Sequence, residues 1–334
     1  MRECRIAVIG AGSWGTALAQ ALAYLGHEVR LWAYEEEVVE TILSAGENRI
    51  YLPGIEISRA ILPTSDLSRA VEDVQYVLTV MPSHVCRDLY TRMLPFLRQE
   101  MILISATKGL EEGSLMRMSE VIQSVVGNRF KAKTAVISGP SFAREVADGQ
   151  PTAIVVASHG SEIARSVQEV FSSKTMRLYT STDVTGVELG GAVKNVIAIA
   201  AGVIEGLGLG HNPMAALITR GLVEIIRLGR AIGARSDTLS GLAGLGDLVL
   251  TCTGGLSRNR SVGVELGKGR SLKDIIESTN TIAEGIKTTG ATVELAEAHG
   301  VEMPITHQVH RILRNEISPR QAIHELMERS LKDE

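Results

Sequence analysis

A single lysine, Lys194, lies inside the run GGAVKNVIAIAAG at residues 190–202, a stretch of small and branched apolar residues that reads as a helix buried on nearly every side. At helical spacing its neighbours are Gly190, Gly191, Ile197 and Ala198, so no carboxylate three or four residues away can pair with the ammonium. Its partner must be tertiary or a ligand. Long charged side chains are rarely buried alone, and a desolvated lysine tends to lose its proton near neutral pH. Such a group can give a proton to a reacting oxygen or take one from it. The competing reading is a lysine that lays its stem along apolar neighbours and carries its charge to the surface.

A second constellation suits a phosphorylated ligand. GAGSWG places Gly10, Gly12 and Gly15 in a G-x-G-x-x-G pattern, directly after the apolar run RIAVI and at the start of a helical pattern. In that context the glycines let a pyrophosphate approach the helix N-terminus and its N–H groups. The residue that meets the adenosine ribose is expected about 20 residues beyond the last glycine. There the chain reads WAYEEE, offering Tyr34 to stack on an adenine and Glu35 to accept a ribose hydroxyl. A carboxylate at that point favours NAD, and no arginine is present to receive a 2′-phosphate. Glu35, Glu36 and Glu37 equally suit the acidic first turn of a helix.

Positioning these residues calls for an alternating framework. RIAVI (5–9) reads as a strand, TALAQALAYL (16–25) as a helix stopped by Gly26, and EVRLW (28–32) as the second strand. YVLTV (76–80), MILIS (101–105), TAVIS (134–138) and TAIVVAS (152–158) continue the strands, which argues for βαβ units and a parallel sheet. After about residue 182 the pattern is helical, with Asn212-Pro213 starting a helix that runs through Ile232. The boundary is expected near YTSTD, 179–183.

The 334 residues suffice for two domains; 45% hydrophobic and 22% charged residues with a net charge of −4 fit an ordinary soluble protein without a nucleic-acid footprint. Cys4, Cys86 and Cys252 show no CxxC or Cys/His metal spacing, so a reducing cytoplasm is the simpler home. The N-terminus leads into the glycine turn rather than a signal peptide's apolar region. The apolar stretch around Lys194 is interrupted by Asn195 and Glu205 and reads as too short to cross a bilayer. His307 and His310 are spaced as a ligand pair but lack a carboxylate or cysteine cluster; they read as residues of a solvated helix, and no metal is expected.

Three further stretches carry a family resemblance: ATKGLE (106–111), SGPSFAREVADGQPTA (138–153) and GLAGLGDLVLTCTGGLSRNR (241–260). With GAVKNV and NPMAALITRGLVEI, and in collinear order over roughly residues 6 to 315, they closely resemble the NAD(P)-dependent sn-glycerol-3-phosphate dehydrogenases of bacteria. The resemblance implies an α/β fold: an N-terminal Rossmann-like doubly wound sheet, residues 1–181, followed by an all-helical C-terminal domain, residues 182–334, as in 6-phosphogluconate dehydrogenases. It implies reversible hydride transfer between dihydroxyacetone phosphate and sn-glycerol 3-phosphate, with NAD(H) or NADP(H), supplying the backbone of phospholipids. The oligomeric state stays open, a homodimer being one candidate.

By the same likeness, Lys194 is the proton acceptor, with Asp247 and Lys108 beside it in the catalytic set. Beside Gly10, Gly12, Gly15 and Tyr34, read above from pattern and position, the likeness adds Ser13, Trp14, Lys108, Ala143, Arg258, Ile282 and Glu284 as residues that would meet the coenzyme. Lys108, Gly139, Ser141, Lys194, Asp247, Ser257, Arg258 and Asn259 would meet the substrate. The chemistry suits those roles: SRN after TGG offers a guanidinium fork, a hydroxyl and an amide to a phosphate. Asp247, within an otherwise apolar stretch, is a candidate partner for Lys194. Where many relatives carry a basic residue after the second strand, this chain has Ala33 and Tyr34, which points to NADH being accepted at least as well as NADPH. Two rivals are a β-hydroxyacid or 6-phosphogluconate-type dehydrogenase, which would not be expected to carry the 241–260 stretch, and a non-catalytic NAD-sensing protein, which would have little use for a buried lysine.

Overall fold

The computed structural model describes residues 3–278 and 283–331. Contacts divide the chain into two compact units: Met1–Lys108 with Met116–Glu188, and Gly109–Leu115 with Leu189–Glu334.

The first unit is built on eight strands, β1 (Arg5–Ile9), β2 (Glu28–Trp32), β3 (Ile61–Thr64), β4 (Tyr76–Thr79), β5 (Ile102–Ser105), β6 (Lys133–Ser138), β7 (Thr152–Ala157) and β8 (Met176–Ser181). They lie in the order β3-β2-β1-β4-β5-β6-β7-β8. Between them run α1 (Ser13–Tyr24), α2 (Glu36–Ala45), α3 (Leu67–Val71), α4 (Cys86–Met93), α5 (Met118–Val126), α6 (Ala143–Ala147) and α7 (Ser161–Phe171). Successive strand residues point to opposite faces. Ile6 and Val8 pack with Leu18 and Leu22 of α1 and Phe171 of α7, whereas Ala7 and Ile9 pack with Leu89 and Tyr90 of α4 and Val121 of α5. Burial on both faces explains why these strands read as unbroken apolar runs.

Two strands escape a reading based on apolar runs. β3, ILPT, carries Pro63, which lacks a ladder donor and is tolerated because β3 is an edge strand. β8 takes in the first three residues of YTSTD; it alternates buried Met176 and Leu178 with exposed Arg177 and Tyr179, as expected of an edge strand covered on one face.

The sheet is also not uniformly parallel. β6 and β7 pair antiparallel, Ile137 opposite Val156, while β7 and β8 pair parallel. The connection between β6 and β7 holds only the five-residue α6. That helix spans only about 7–8 Å, against about 20 Å for the six-residue strand a parallel crossover would run back along, so the short connection favours the reversal.

The second unit is helical: α8 (Val184–Gly206), whose first turn still belongs to the first unit, α9 (His211–Ala231), α10 (Ser236–Leu239), α11 (Asp247–Thr253), α12 (Arg258–Gly267), α13 (Leu272–Glu277), α14 (Glu284–Ala298), α15 (Pro304–Leu313) and α16 (Pro319–Met327). The N-cap of α9 is Gly210 rather than Asn212. Pro213 then falls in the first turn, where its missing N–H has no intrahelical acceptor to lose.

α8 is longer than the sequence reading allowed. Its 23 residues are long and apolar enough for a membrane span, and 94% of its most apolar window is buried inside the protein. Val193, Ile197 and Ala201 pack into one cluster with α9, α11 and α14; Val196, Ile199 and Val203 pack into another with α12 and α15. A helix that is the shared wall of two cores is apolar all round.

Candidate functional site

In the first unit the glycine turn is built for close backbone approach. Gly10 has φ +117° and a Cβ there would stand 2.3 Å from the Val80 carbonyl oxygen; a Cβ on Gly15 would stand 1.8 Å from the Gly10 oxygen. Gly12 differs: a Cβ there would meet nothing within 4 Å. It is the N-cap of α1, and no side chain caps that helix. The leading N–H groups of this twelve-residue helix therefore have no side-chain cap, which leaves them as donors for a pyrophosphate. These features fit a dinucleotide. Ser13 and Trp14 form the first turn of α1, both partly exposed. Tyr34 is 73% exposed and makes a T-shaped contact with Trp32 at 6.4 Å between ring centroids. Glu35 is the N-cap of α2, but its carboxylate makes no cap bond and instead accepts from the Tyr51 hydroxyl at 2.8 Å.

At the carboxyl ends of β5 and β6, where ligands bind in open α/β sheets, Lys108, Gly139 and Ser141 come together. The Gly139 carbonyl accepts from Lys108 Nζ at 3.5 Å and from Ser141 Oγ at 2.9 Å. Gly139 has φ +145°, and a Cβ there would stand 2.9 Å from Ile154 Cα, so neither the backbone nor the space admits a side chain. Ala143 opens α6, partly buried against the core. The hydroxyls of Ser105 and Ser138, the last residues of β5 and β6, are buried without a hydrogen-bond partner among the described residues. The sequence reading passed over both; Ser138 stands directly before Gly139 in a stretch it had already singled out.

The second unit answers the question raised by Lys194. The residue is 5% exposed and does not reach the surface. Its Nζ donates to Asp247 Oδ1 and, at 2.8 Å, to Thr251 Oγ1. Thr251 in turn donates to the Asp247 carbonyl at 2.6 Å. Asp247 and Thr251 are one turn apart on α11, hence on one face. Gly190, one turn before Lys194, makes the approach possible: a Cβ there would stand 2.6 Å from the Ala243 carbonyl oxygen. Leu242–Gly246, a π-helical turn, delivers Asp247 to the start of α11. Thr251 carried no signal of its own beyond lying at i+4 from an acidic residue. Cys252, next to it, has its thiol pushed up to about 12 by burial, so it is no nucleophile near neutral pH.

The SRN triplet is only partly at liberty. Ser257 is the N-cap of α12, its Oγ accepting from Arg260 N–H at 3.2 Å. Asn259 Oδ1 accepts from Gly285 N–H at 2.9 Å. Those bonds occupy acceptors and leave the hydroxyl proton and the amide N–H groups as donors. Arg258 is exposed and has no ion-pair partner among the described residues. Glu284 opens α14, partly buried. Ile282 lies outside the described residues. His307 is exposed and His310 partly so, and among the described residues no group of three or more His, Cys, Asp or Glu could hold a metal.

Comparison with known proteins covers both units. Residues 5–164 match the model of the NAD-dependent glycerol-3-phosphate dehydrogenase N-terminus and residues 183–324 that of its C-terminus. A glycerol-3-phosphate dehydrogenase [NAD(P)+] of Koribacter versatilis (strain Ellin345) is 58% identical over 327 residues, 97% of each chain. One of Acidobacterium capsulatum is 53% identical over 336 residues, 99% of each chain. Among solved structures, glycerol-3-phosphate dehydrogenase from Coxiella burnetii superposes with a TM-score of 0.94 at 44% identity, covering 98% of this chain and 99% of that one.

Proposed function

This chain belongs to the NAD-dependent glycerol-3-phosphate dehydrogenase family, and from that premise we propose that Lys194, anchored on Asp247 and Thr251, handles the proton at the substrate's carbonyl oxygen. The chain is an NAD(P)-dependent oxidoreductase that interconverts dihydroxyacetone phosphate and sn-glycerol 3-phosphate. The nicotinamide, when bound, supplies or accepts the hydride. Reduction of the ketone also needs a proton at the oxygen, and oxidation of the alcohol needs a base there. A carboxylate in contact with the ammonium favours the charged form, the one that donates toward the alcohol. Asp247 and Thr251 hold Nζ from two sides, so the donor keeps its direction while the substrate changes.

The remaining roles follow the chemistry of each group. Ser257, Arg258 and Asn259 bind the phosphate through one guanidinium and neutral donors. By the family resemblance, Lys108, Gly139 and Ser141 are further substrate-contacting residues. The turn Gly10–Gly15 with Ser13 and Trp14 holds the pyrophosphate, Tyr34 the adenine, and Lys108, Ala143, Arg258, Ile282 and Glu284 the rest of the coenzyme. Three free cysteines suit a reducing cytoplasm, where the product feeds phospholipid synthesis.

The observation that carries the proposal is the buried Lys194 bonded to Asp247 and Thr251. Lys194→Met keeps most of the stem and removes the charge and the proton. Turnover followed by nicotinamide absorbance should fall about 10²–10⁴-fold, the contribution of a positioned acid or base, while coenzyme affinity is retained. Near-normal kcat in a folded Lys194→Met protein returns the lysine to a structural role.

A further inference from the structure

The loop that follows α2 is keyed to the glycine turn. Asn48 is fully buried, and its amide donates to the Ala11 carbonyl at 2.8 Å and to Thr16 Oγ1 at 2.8 Å. Its Oδ1 accepts from the Tyr51 N–H at 3.1 Å. The Tyr51 carbonyl accepts from Ser13 Oγ at 2.5 Å. Further along, Gln20 Nε2 of α1 donates to the Glu56 carbonyl at 2.9 Å. Tyr51 is thus clamped on both sides of its own backbone to the turn that receives the pyrophosphate. Those bonds fix the backbone from which the ring projects, and the hydroxyl supplies the side chain's own bond.

What the clamp holds is the Glu35 carboxylate. Glu35 stands at the end of β2 and is exposed, so its side chain alone would be at liberty to swing into solvent. The Tyr51 hydroxyl prevents this by donating to Oε1 at 2.8 Å. Burial, and then the bond to Glu35, pushes that hydroxyl up to about 12, so it remains a protonated donor at any working pH. Arg49, a basic residue of the same loop, pairs with Glu47 at 3.4 Å.

We propose that Tyr51 is a specificity-determining residue: by holding the Glu35 carboxylate in place, it makes the adenosine end of the coenzyme site accept a ribose diol and reject a ribose 2′-phosphate. The proposal rests on the reading that GAGSWG and the segment after β2 bind the nicotinamide coenzyme. Ribose hydroxyls donate to a carboxylate held in a constant direction. A phosphate monoester brings about −1.5 to −2 charges against it and has little to donate. Without the clamp the carboxylate rotates away and the rejection weakens. Tyr51 therefore acts through Glu35 and need not touch the coenzyme.

The test uses the full-length protein and two probes, NADH and NADPH. Their dissociation constants are read from quenching of tryptophan fluorescence, and kcat/KM for each is measured with dihydroxyacetone phosphate. Tyr51→Phe removes only the hydroxyl and leaves both backbone bonds. The unaltered protein should bind NADH more tightly than NADPH. Tyr51→Phe should weaken NADH about three- to tenfold, the scale of one hydrogen bond, and weaken NADPH less or not at all, so that the selectivity ratio falls. In a Glu35→Gln background the same change should leave the ratio where it is. Equal weakening of both coenzymes would show a loop support and overturn the proposal. So would a selective loss of NADPH binding, which would place the hydroxyl on the phosphate, or a change of ratio that persists without Glu35. Failure of the coenzyme-site reading is distinguishable, because the unaltered protein would then bind neither probe.

Discussion

Replacing Gly190 by alanine adds one methyl at the point where α8 comes nearest to the Leu242–Gly246 turn. The new carbon would stand 2.6 Å from the Ala243 carbonyl oxygen and 3.1 Å from Gly244 Cα, where ordinary contact begins at 3.4 Å. The shortfall of about 0.8 Å falls on backbone at both sides, so no rotamer change relieves it. Overpacking of this kind costs about 1–3 kcal/mol and lowers the unfolding midpoint by a few degrees. Lys194 is one turn further along the same face and Asp247 follows the turn directly, so the same displacement loosens the ammonium from its carboxylate. Misplacing a positioned group by nearly 1 Å costs up to about 10²-fold, and we expect kcat to fall about 10- to 100-fold. Steady-state kinetics at saturating NADH, with a thermal unfolding curve, reads both effects. KM for NADH should change less than kcat, because the glycine turn belongs to the first unit. Gly290→Ala is the control: a Cβ there meets nothing within 4 Å within α14, so stability should hold or rise. A lowered midpoint with unchanged kcat in Gly190→Ala would refute the reasoning, since the close approach would then stabilise the fold without placing Lys194.

Two other changes test separate parts of the second unit. Arg258→Ala should raise KM for dihydroxyacetone phosphate about 10- to 100-fold, as loss of charge-assisted hydrogen bonds implies, and leave the unfolding midpoint alone; an unchanged KM would remove the guanidinium from the phosphate site. Glu224 is buried and accepts from the N–H groups of Ile305 and Thr306 at the start of α15. Burial outweighs those bonds and pushes its carboxyl above the ordinary value of 4.5. The folded state therefore favours the protonated form, so the stability contribution of this group is full below about pH 4.5 and declines as pH rises through the raised value. Unfolding midpoints of the unaltered protein, measured against Glu224→Gln, should lose ground as pH rises; a difference that grows with pH would show that the hydrogen bonds win.

The parts of this protein legible in its sequence are those whose cause is local. The glycine turn declares itself because strand, turn and helix are contiguous, and the buried strands because both their faces are covered. β3 and β8 were illegible to the same logic, since edge strands need neither a long apolar run nor a full set of ladder donors. The β6–β7 reversal had only a weak signal, a connection close to the shortest that a parallel crossover uses. At the site, Glu35 was visible as an acid after β2, but Tyr51 was not: it follows at sixteen residues in a loop without periodicity, and only the tertiary bonds of Asn48 and Ser13 bring it back. Lys194 was conspicuous for lacking a local partner, and that lack was itself the signal for one 53 residues away.

The same run that hides Lys194 also carries the means of placing it. Read for hydrophobicity, the glycines of α8 are merely small; in the fold they are points of backbone contact. A Cβ on Gly202 would stand 2.0 Å from the Arg260 carbonyl oxygen, and one on Gly206 2.2 Å from that of Val264. The surface is reciprocal, because a Cβ on Gly263 would stand 2.0 Å from the Ile199 oxygen and one on Gly267 2.6 Å from that of Val203. Each pair is spaced by four, so each forms one face of its helix. α12 begins with Arg258 and Asn259, just as α11 begins with Asp247. α8 is thereby docked through glycine against α12 and against the turn that leads into α11. Contacts between backbones have no rotamers to change. The backbones that carry Lys194, Asp247 and Ser257–Asn259 are consequently held at separations set by main chain, which is the precision the proposed proton transfer would require.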